Sequence, residues 1–230
     1  MGLTVLVFLG QELGYQFLGG DILYSLGCMS VPDVLSGQYW RLITPVFLHL
    51  GWLHIGINMY SLYVLGPGLE RQFGHSRFLA LYLIAGFAGN ALSFMFLPLN
   101  TSSAGASTAL FGLIGAEGVF VYQNRQMFGN RTGAILRNIL FIAAINLLFG
   151  FYTASPIANA NVPTIDNWGH IGGLLGGLLF AWFAGPIWQV EGLYPNLHVA
   201  DQREPIHVQL TAVGVSVLFA AVALFRILRG

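Results

Sequence analysis

Residues 166–177 read DNWGHIGGLLGG, and their spacing decides how the rest of the chain is read. Gly169, Gly173 and Gly177 recur every four residues, and Gly172 with Gly176 makes a second small pair. On an α-helix that period lines small residues along one side, so a neighbouring helix can approach backbone to backbone. Such contacts suit a lipid setting, where hydrophobic burial does not drive helices together. The run stays free of charge through residue 187, which makes 168–187 long enough to cross a bilayer, a task that takes roughly 20 apolar residues. One ionisable group, His170, stands at its start.

Composition extends this reading to the whole chain. Of 230 residues, 56% are apolar, 14% aromatic and only 8% charged, with 30 glycines, against about 25% charged in soluble domains. Six apolar windows fall near 52–69, 78–97, 107–124, 134–152, 168–187 and 208–228. A seventh, 2–19, is interrupted by Gln11 and Glu12. The expected fold is all-α, a polytopic membrane bundle. Its expected organisation is a core of six transmembrane helices over 1–187, with a large first loop at 20–51. A cytoplasmic linker at 188–207 and a seventh helix at 208–230 follow.

Other classes drop out. Net charge is zero and all nine basic residues are arginine, with no basic patch or tail, so nucleic acid is not expected as a partner. Cys28 is the single cysteine, which excludes an internal disulfide, a cysteine-rich metal site and a redox pair. The run Leu3 to Leu9 has no positive flank and no small-residue cleavage site, so no removable signal peptide is expected. Neither is N-myristoylation, nor a soluble regulatory domain ahead of the first helix.

Arginine placement sets the orientation. With the N-terminus inside, Arg71, Arg77, Arg125, Arg131, Arg137 and Arg203 fall inside, and Arg41, Arg226 and Arg229 outside. Six against three favours this arrangement, with the tail pair as its one dissent. The first loop contains YWRLITPVFLHLGW, residues 39–52, whose aromatic and aliphatic residues suit a segment lying in the outer leaflet around Arg41.

Polar side chains inside apolar windows are costly and therefore informative. His54 and Asn58 are four apart on one helix face, about 6 Å along the axis. Ser107, in GASTALFG at 105–112, opens the fourth window and His170 the sixth. On the topology above, all four lie near the start of outside-to-inside helices, at one depth. That layer would hold a nucleophile, a general base and oxyanion donors, including the unpaired N–H groups at the helix start beside Ser107. Glycines at 105, 112, 115 and 118 on the serine side face those of the histidine helix. Each residue also has a plain reading. Ser107 alone is ordinary packing material, His170 a satisfied structural group or proton relay, Asn58 an interhelical hydrogen bond, and Glu117 a buried bonded group. The joint occurrence is what favours chemistry.

At these residues the sequence resembles the rhomboid family of intramembrane serine proteases, bacterial type, over roughly residues 36–187. The matching pieces are Trp40-Arg41, His49, His54-x-x-x-Asn58, GPGLERQFG with Glu70 and Arg71, Gly105-Ala106-Ser107, and His170-x-x-Gly173-x-x-x-Gly177. The resemblance implies a Ser107–His170 dyad with no acidic third member, so Asp166 is not assigned to it. His54, Asn58 and the Ser107 backbone N–H are implied to form the oxyanion hole. Trp40 and Arg41 would anchor the first loop at the lipid boundary, His49 would be a structural hydrogen-bond donor, and Gly105, Gly173 and Gly177 would shape the surroundings. Thr108 departs from the glycine common after the serine, and is expected to affect the oxyanion backbone or the pocket. The implied substrates are single-pass transmembrane proteins, cut near the outer face of a bacterial cytoplasmic membrane. Membrane lipid is the surrounding partner, and no cofactor or metal is expected.

Rival readings are narrower. No His-Glu-x-x-His occurs, and LGGD at 18–21 has leucine where an aspartyl membrane protease needs glycine. A metal held by His49, His54 and His170 would have no carboxylate or cysteine beside it. The alternative from another class is a noncatalytic rhomboid-like protein that binds membrane clients; such proteins lack one of the dyad residues. A transporter would show broken helices and internal pseudo-symmetry, neither of which is visible.

Overall fold

The computed structural model describes residues 1–155 and 164–229. Residues 156–163 and Gly230, the last residue of the expected 208–230 segment, lie outside the described residues. Long helices occupy all seven windows: α1 (Gly2–Leu18), α4 (Trp52–Phe73), α5 (His75–Phe96), α6 (Ser107–Gln123), α8 (Thr132–Thr153), α9 (Asn167–Ala184) and α10 (Pro205–Arg229). Between them lie the short helices α2 (Ile22–Gly27), α3 (Val31–Leu35) and α7 (Arg125–Phe128), and two-residue strands β1 (Met29–Ser30) and β2 (Ser102–Ser103). The protein is a helical membrane bundle. By length and composition alone, α5, the run Arg125–Thr153 and α10 qualify as spans. The helices that carry Ser107 and His170 are only 17 and 18 residues long, and in α9 glycines and a polar first turn dilute the apolar content.

At the centre α5, α6 and α9 pack against one another; α10 lies on α5 and α9, α4 on α5 and α6, and α8 mainly on α6. Glycine explains the closeness. A Cβ at Gly173 would strike the Thr108 carbonyl oxygen and one at Gly177 the Gly112 backbone, whereas at Gly172 and Gly176 it would meet Ala88 on α5. The histidine helix therefore turns one glycine row to α6 and the other to α5. On the serine side the expectation holds for Gly112 and Gly115, which abut α9. It is corrected for Gly118, which lies nearest Ile139 of α8. Gly105 is corrected too, since it precedes the helix, with φ +142°.

The first loop is folded rather than merely laid on the surface. Its α2, α3 and the 3-10 turns Tyr39–Leu42 and Thr44–Phe47 wrap Arg41, which is 3% exposed. The guanidinium donates to the carbonyls of Cys28 (2.9 Å) and Ser25 (2.7 Å) and to Gln38 Oε1 (2.8 Å), and pairs with Asp33 at 3.3 Å. Met29 and Ser30 pair antiparallel with Ser103 and Ser102, fastening the loop to the chain just ahead of Ser107.

Residues 188–207, read as a solvated linker, contain an antiparallel hairpin, β3 (Trp188–Glu191) with β4 (His198–Asp201). Its tip is exposed, but its base is anchored: Asp201 pairs with Arg77 at 2.5 Å and accepts from the Ile187 N–H at 3.0 Å. The period-2 alternation of WQVE is too short to stand out against the polar residues around it, and HVAD does not alternate.

Candidate active site

Three helix starts and one turn build the site. Ser107 is the first residue of α6, half-buried, and its Oγ makes no hydrogen bond among the described residues. The N-cap, Ala106, has no side-chain capping bond, so the first N–H groups of α6 keep their donor capacity and the positive end of the helix dipole.

His170 is buried in the first turn of α9. Its ring stacks on Phe111, with centroids 4.1 Å apart and planes 13° from parallel. Phe111 follows Ser107 by four residues and so shares its face of α6, which places the imidazole against the serine's side of that helix. No Ser107–His170 hydrogen bond is formed among the described residues; in ligand-free sites such bonds are often long. His170 Nδ1 is buried without a partner among the described residues. Asp166 is occupied elsewhere: Oδ1 caps the Gly169 N–H at 2.9 Å and Oδ2 takes the Ser93 hydroxyl.

His54 receives its tautomer from its own loop. The Leu50 N–H donates to His54 Nδ1 at 3.2 Å, so the neutral ring carries its proton on Nε2. That nitrogen lies 2.8 Å from where a Gly105 Cβ would be, and Ser107 Oγ lies 3.6 Å from the same point. Gly105 therefore leaves room for a donor beside the nucleophile, in a backbone conformation that other residues rarely adopt. Asn58 lies one turn along α4, buried, with Nδ2 donating to the His54 carbonyl at 2.8 Å and Oδ1 unpartnered among the described residues. One amide proton is left for another acceptor.

His49 supports the turn as an acceptor. Its Nε2 accepts from the Ala106 N–H at 3.3 Å. The spacing could not reveal that direction, which Ala106 sets. Burial first, and then nearby His54, push the pKa of His49 down to about 4. Trp40 is half-exposed at the surface of the loop and donates to the Leu26 carbonyl at 3.0 Å, away from the hydroxyl. Thr108 turns from the pocket: its side chain fills the gap beside Gly89 and Gly169, between α5 and α9.

The structure thus sets Ser107 beside His54, stacks His170 on Phe111 of the serine helix and ties Asn58 to His54, with Gly105 and His49 at the turn before Ser107. Sequence reading missed Phe111, since a phenylalanine in an apolar window carries no signal. It also missed Gln11, whose signal was present as the break in the first window.

Known proteins match the same region. A family model described as the Rhomboid domain matches residues 36–187. The chain belongs to the rhomboid family. It is 39% identical over 181 residues to rhomboid protease GluP of Bacillus subtilis (strain 168), covering 79% of this chain and 33% of that protein. With the mitochondrial RHOMBOID-like protein 6 of Arabidopsis thaliana it shares 41% over 164 residues, 70% of this chain and 50% of the relative. The putative rhomboid protease YdcA of Bacillus subtilis is 34% identical over 158 residues, 69% and 70% of the two chains. The chain spans a third of GluP and half of the plant protein.

Proposed function

We propose that this rhomboid-family protein is a serine endopeptidase that cleaves single-pass transmembrane proteins near the outer membrane face, with Ser107 as nucleophile and His170 as general base. The stacking of His170 on Phe111, four residues after Ser107 on the same face of α6, carries the reading. Ser107 Oγ attacks the peptide carbonyl carbon and its proton passes to His170 Nε2. The carbonyl oxygen, now negative, accepts from the Ser107 N–H, His54 Nε2–H and the spare Asn58 amide proton. As the C–N bond breaks, His170 returns the proton to the leaving amine. A water then gives its proton to His170 and attacks the acyl ester, and Ser107 leaves with that proton. Asp166 is not assigned to orient His170, since its Oδ1 caps the Gly169 N–H and its Oδ2 takes the Ser93 hydroxyl.

A substrate helix hides its carbonyls in hydrogen bonds, so the segment presented to Ser107 must unwind, which favours small, helix-weakening residues near the cut. Residues 1–187 act as the core and α10 as an additional span, with the N-terminus inside a bacterial cytoplasmic membrane. The test is labelling by a fluorophosphonate, mapped by mass spectrometry. Modification at Ser107 that disappears in His170→Ala supports the dyad; labelling that persists undiminished in His170→Ala removes the base from the mechanism.

A further inference from the structure

One buried carboxamide joins parts of the chain that are distant in sequence. Gln11 lies midway along α1 and is 2% exposed. Its Oε1 accepts from the His49 N–H at 3.0 Å and its Nε2 donates to the His49 carbonyl at 3.1 Å. A single side chain thereby grips both backbone groups of one residue, as a neighbouring strand would. The second Nε2 proton goes to Asp21 Oδ2 at 2.6 Å, while Asp21 Oδ1 caps α2 through the Tyr24 N–H at 2.8 Å. Burying an amide in an apolar helix is costly unless it is bonded, and every bond of this one runs out of α1 into the first loop.

The chain of contacts continues to the nucleophile. His49, also 2% exposed, accepts the Ala106 N–H on Nε2, and Ala106 is the N-cap of α6, next to Ser107. The bond sets the direction of the turn only if the His49 backbone is itself held, and Gln11 is what holds it. We infer that Gln11 is a positioning residue for Ser107, acting through the clamped His49 backbone and the His49 Nε2–Ala106 N–H bond; the inference rests on the protease reading above.

The experiment uses the full chain purified in detergent with a single-pass transmembrane substrate. Gln11→Glu keeps the size and the acceptor for the His49 N–H, but it removes the donor to the His49 carbonyl and sets a carboxylate against Asp21. The expected result is a fall in kcat on the order of 10- to 100-fold with KM nearly unchanged, the scale of a small misplacement of reacting groups. Adding Asp21→Asn recovers only part of the loss, because the new amide at position 21 still caps α2 and relieves the carboxylate contact, while the His49 carbonyl stays without its donor. In a His49→Phe background Gln11→Glu costs little more, since residues acting as one unit do not add. Wild-type kcat in Gln11→Glu overturns the inference, as does a loss that Asp21→Asn leaves untouched and that adds in full to His49→Phe. If Gln11→Glu does not fold, Gln11→Asn, one methylene short of His49, takes its place in the same cycle. Wild type that fails to cleave, or Ser107→Ala that still cleaves, sinks the protease reading and this inference with it. A Ser107-dependent enzyme indifferent to position 11 sinks the inference alone.

Discussion

His54 shows how one neighbour assigns a task to a ring nitrogen. Because the Leu50 N–H occupies Nδ1, the proton sits on Nε2 and points toward Gly105 and Ser107, so His54→Ala should lower kcat on the order of 100-fold, the cost of one oxyanion donor. Rates from purified variants, with KM measured alongside, check this. Asp166 makes the opposite prediction. A triad aspartate lost to asparagine costs about 10⁴-fold, whereas Asp166→Asn here should retain activity within about an order of magnitude, because an asparagine still caps α9. His49 ties the site to pH. The fold holds the neutral ring, so the unfolded chain takes up the proton first as pH falls. The stabilisation is complete above pH 6.5 and is lost as pH drops toward about 4, a swing of about 3 kcal/mol. Thermal midpoints measured across that window should fall more steeply in wild type than in His49→Phe. At this scale the sequence displayed the chemistry-bearing residues, since a histidine or asparagine in an apolar window stands out. It did not display the Ala106 bond to His49 or the ring stacked on His170, because both depend on a neighbour far along the chain.

Helix pairing brings the elements that carry those residues together. The α6–α9 contact brings the backbones of Thr108 and Gly173 together, so Gly173→Val would push α9 off α6 and carry His170 away from Ser107. Overpacking of this kind costs about 1–3 kcal/mol. Cleavage should fall further than that loss of stability explains, whereas Gly118→Ala, whose added methyl meets only Ile139 at 3.6 Å, should be mild on both counts. Comparing rate with thermal midpoint for the two variants decides it. The glycine period made the α9 contact readable in advance. The hairpin at Trp188–Glu191 and His198–Asp201 was not, because its anchors, Arg77 and Ile187, lie outside its strands.

Across the whole bundle, the arginines that argued against the orientation have local partners. Arg226 donates to the Phe94 and Leu97 carbonyls at the C-terminal end of α5 and lies over the Phe94 ring, and Arg229 lies over Phe225. Carbonyls at a helix C-terminus carry the negative end of its dipole and welcome a cation. Arg77 and Arg203 occupy the opposite end, bonded to Asp201 and to the Gly185 carbonyl. Reporter fusions at the two termini should therefore report opposite sides, with the N-terminus inside; the same side for both would remove one span from the account. The central claim is most directly tested by gel-resolved cleavage of a single-pass transmembrane substrate in detergent, comparing wild type with Ser107→Ala and His170→Ala. The account predicts a product band with wild type and none with either variant. A band that survives Ser107→Ala would contradict it, and silence from wild type across several substrates would favour a client-binding member of the family.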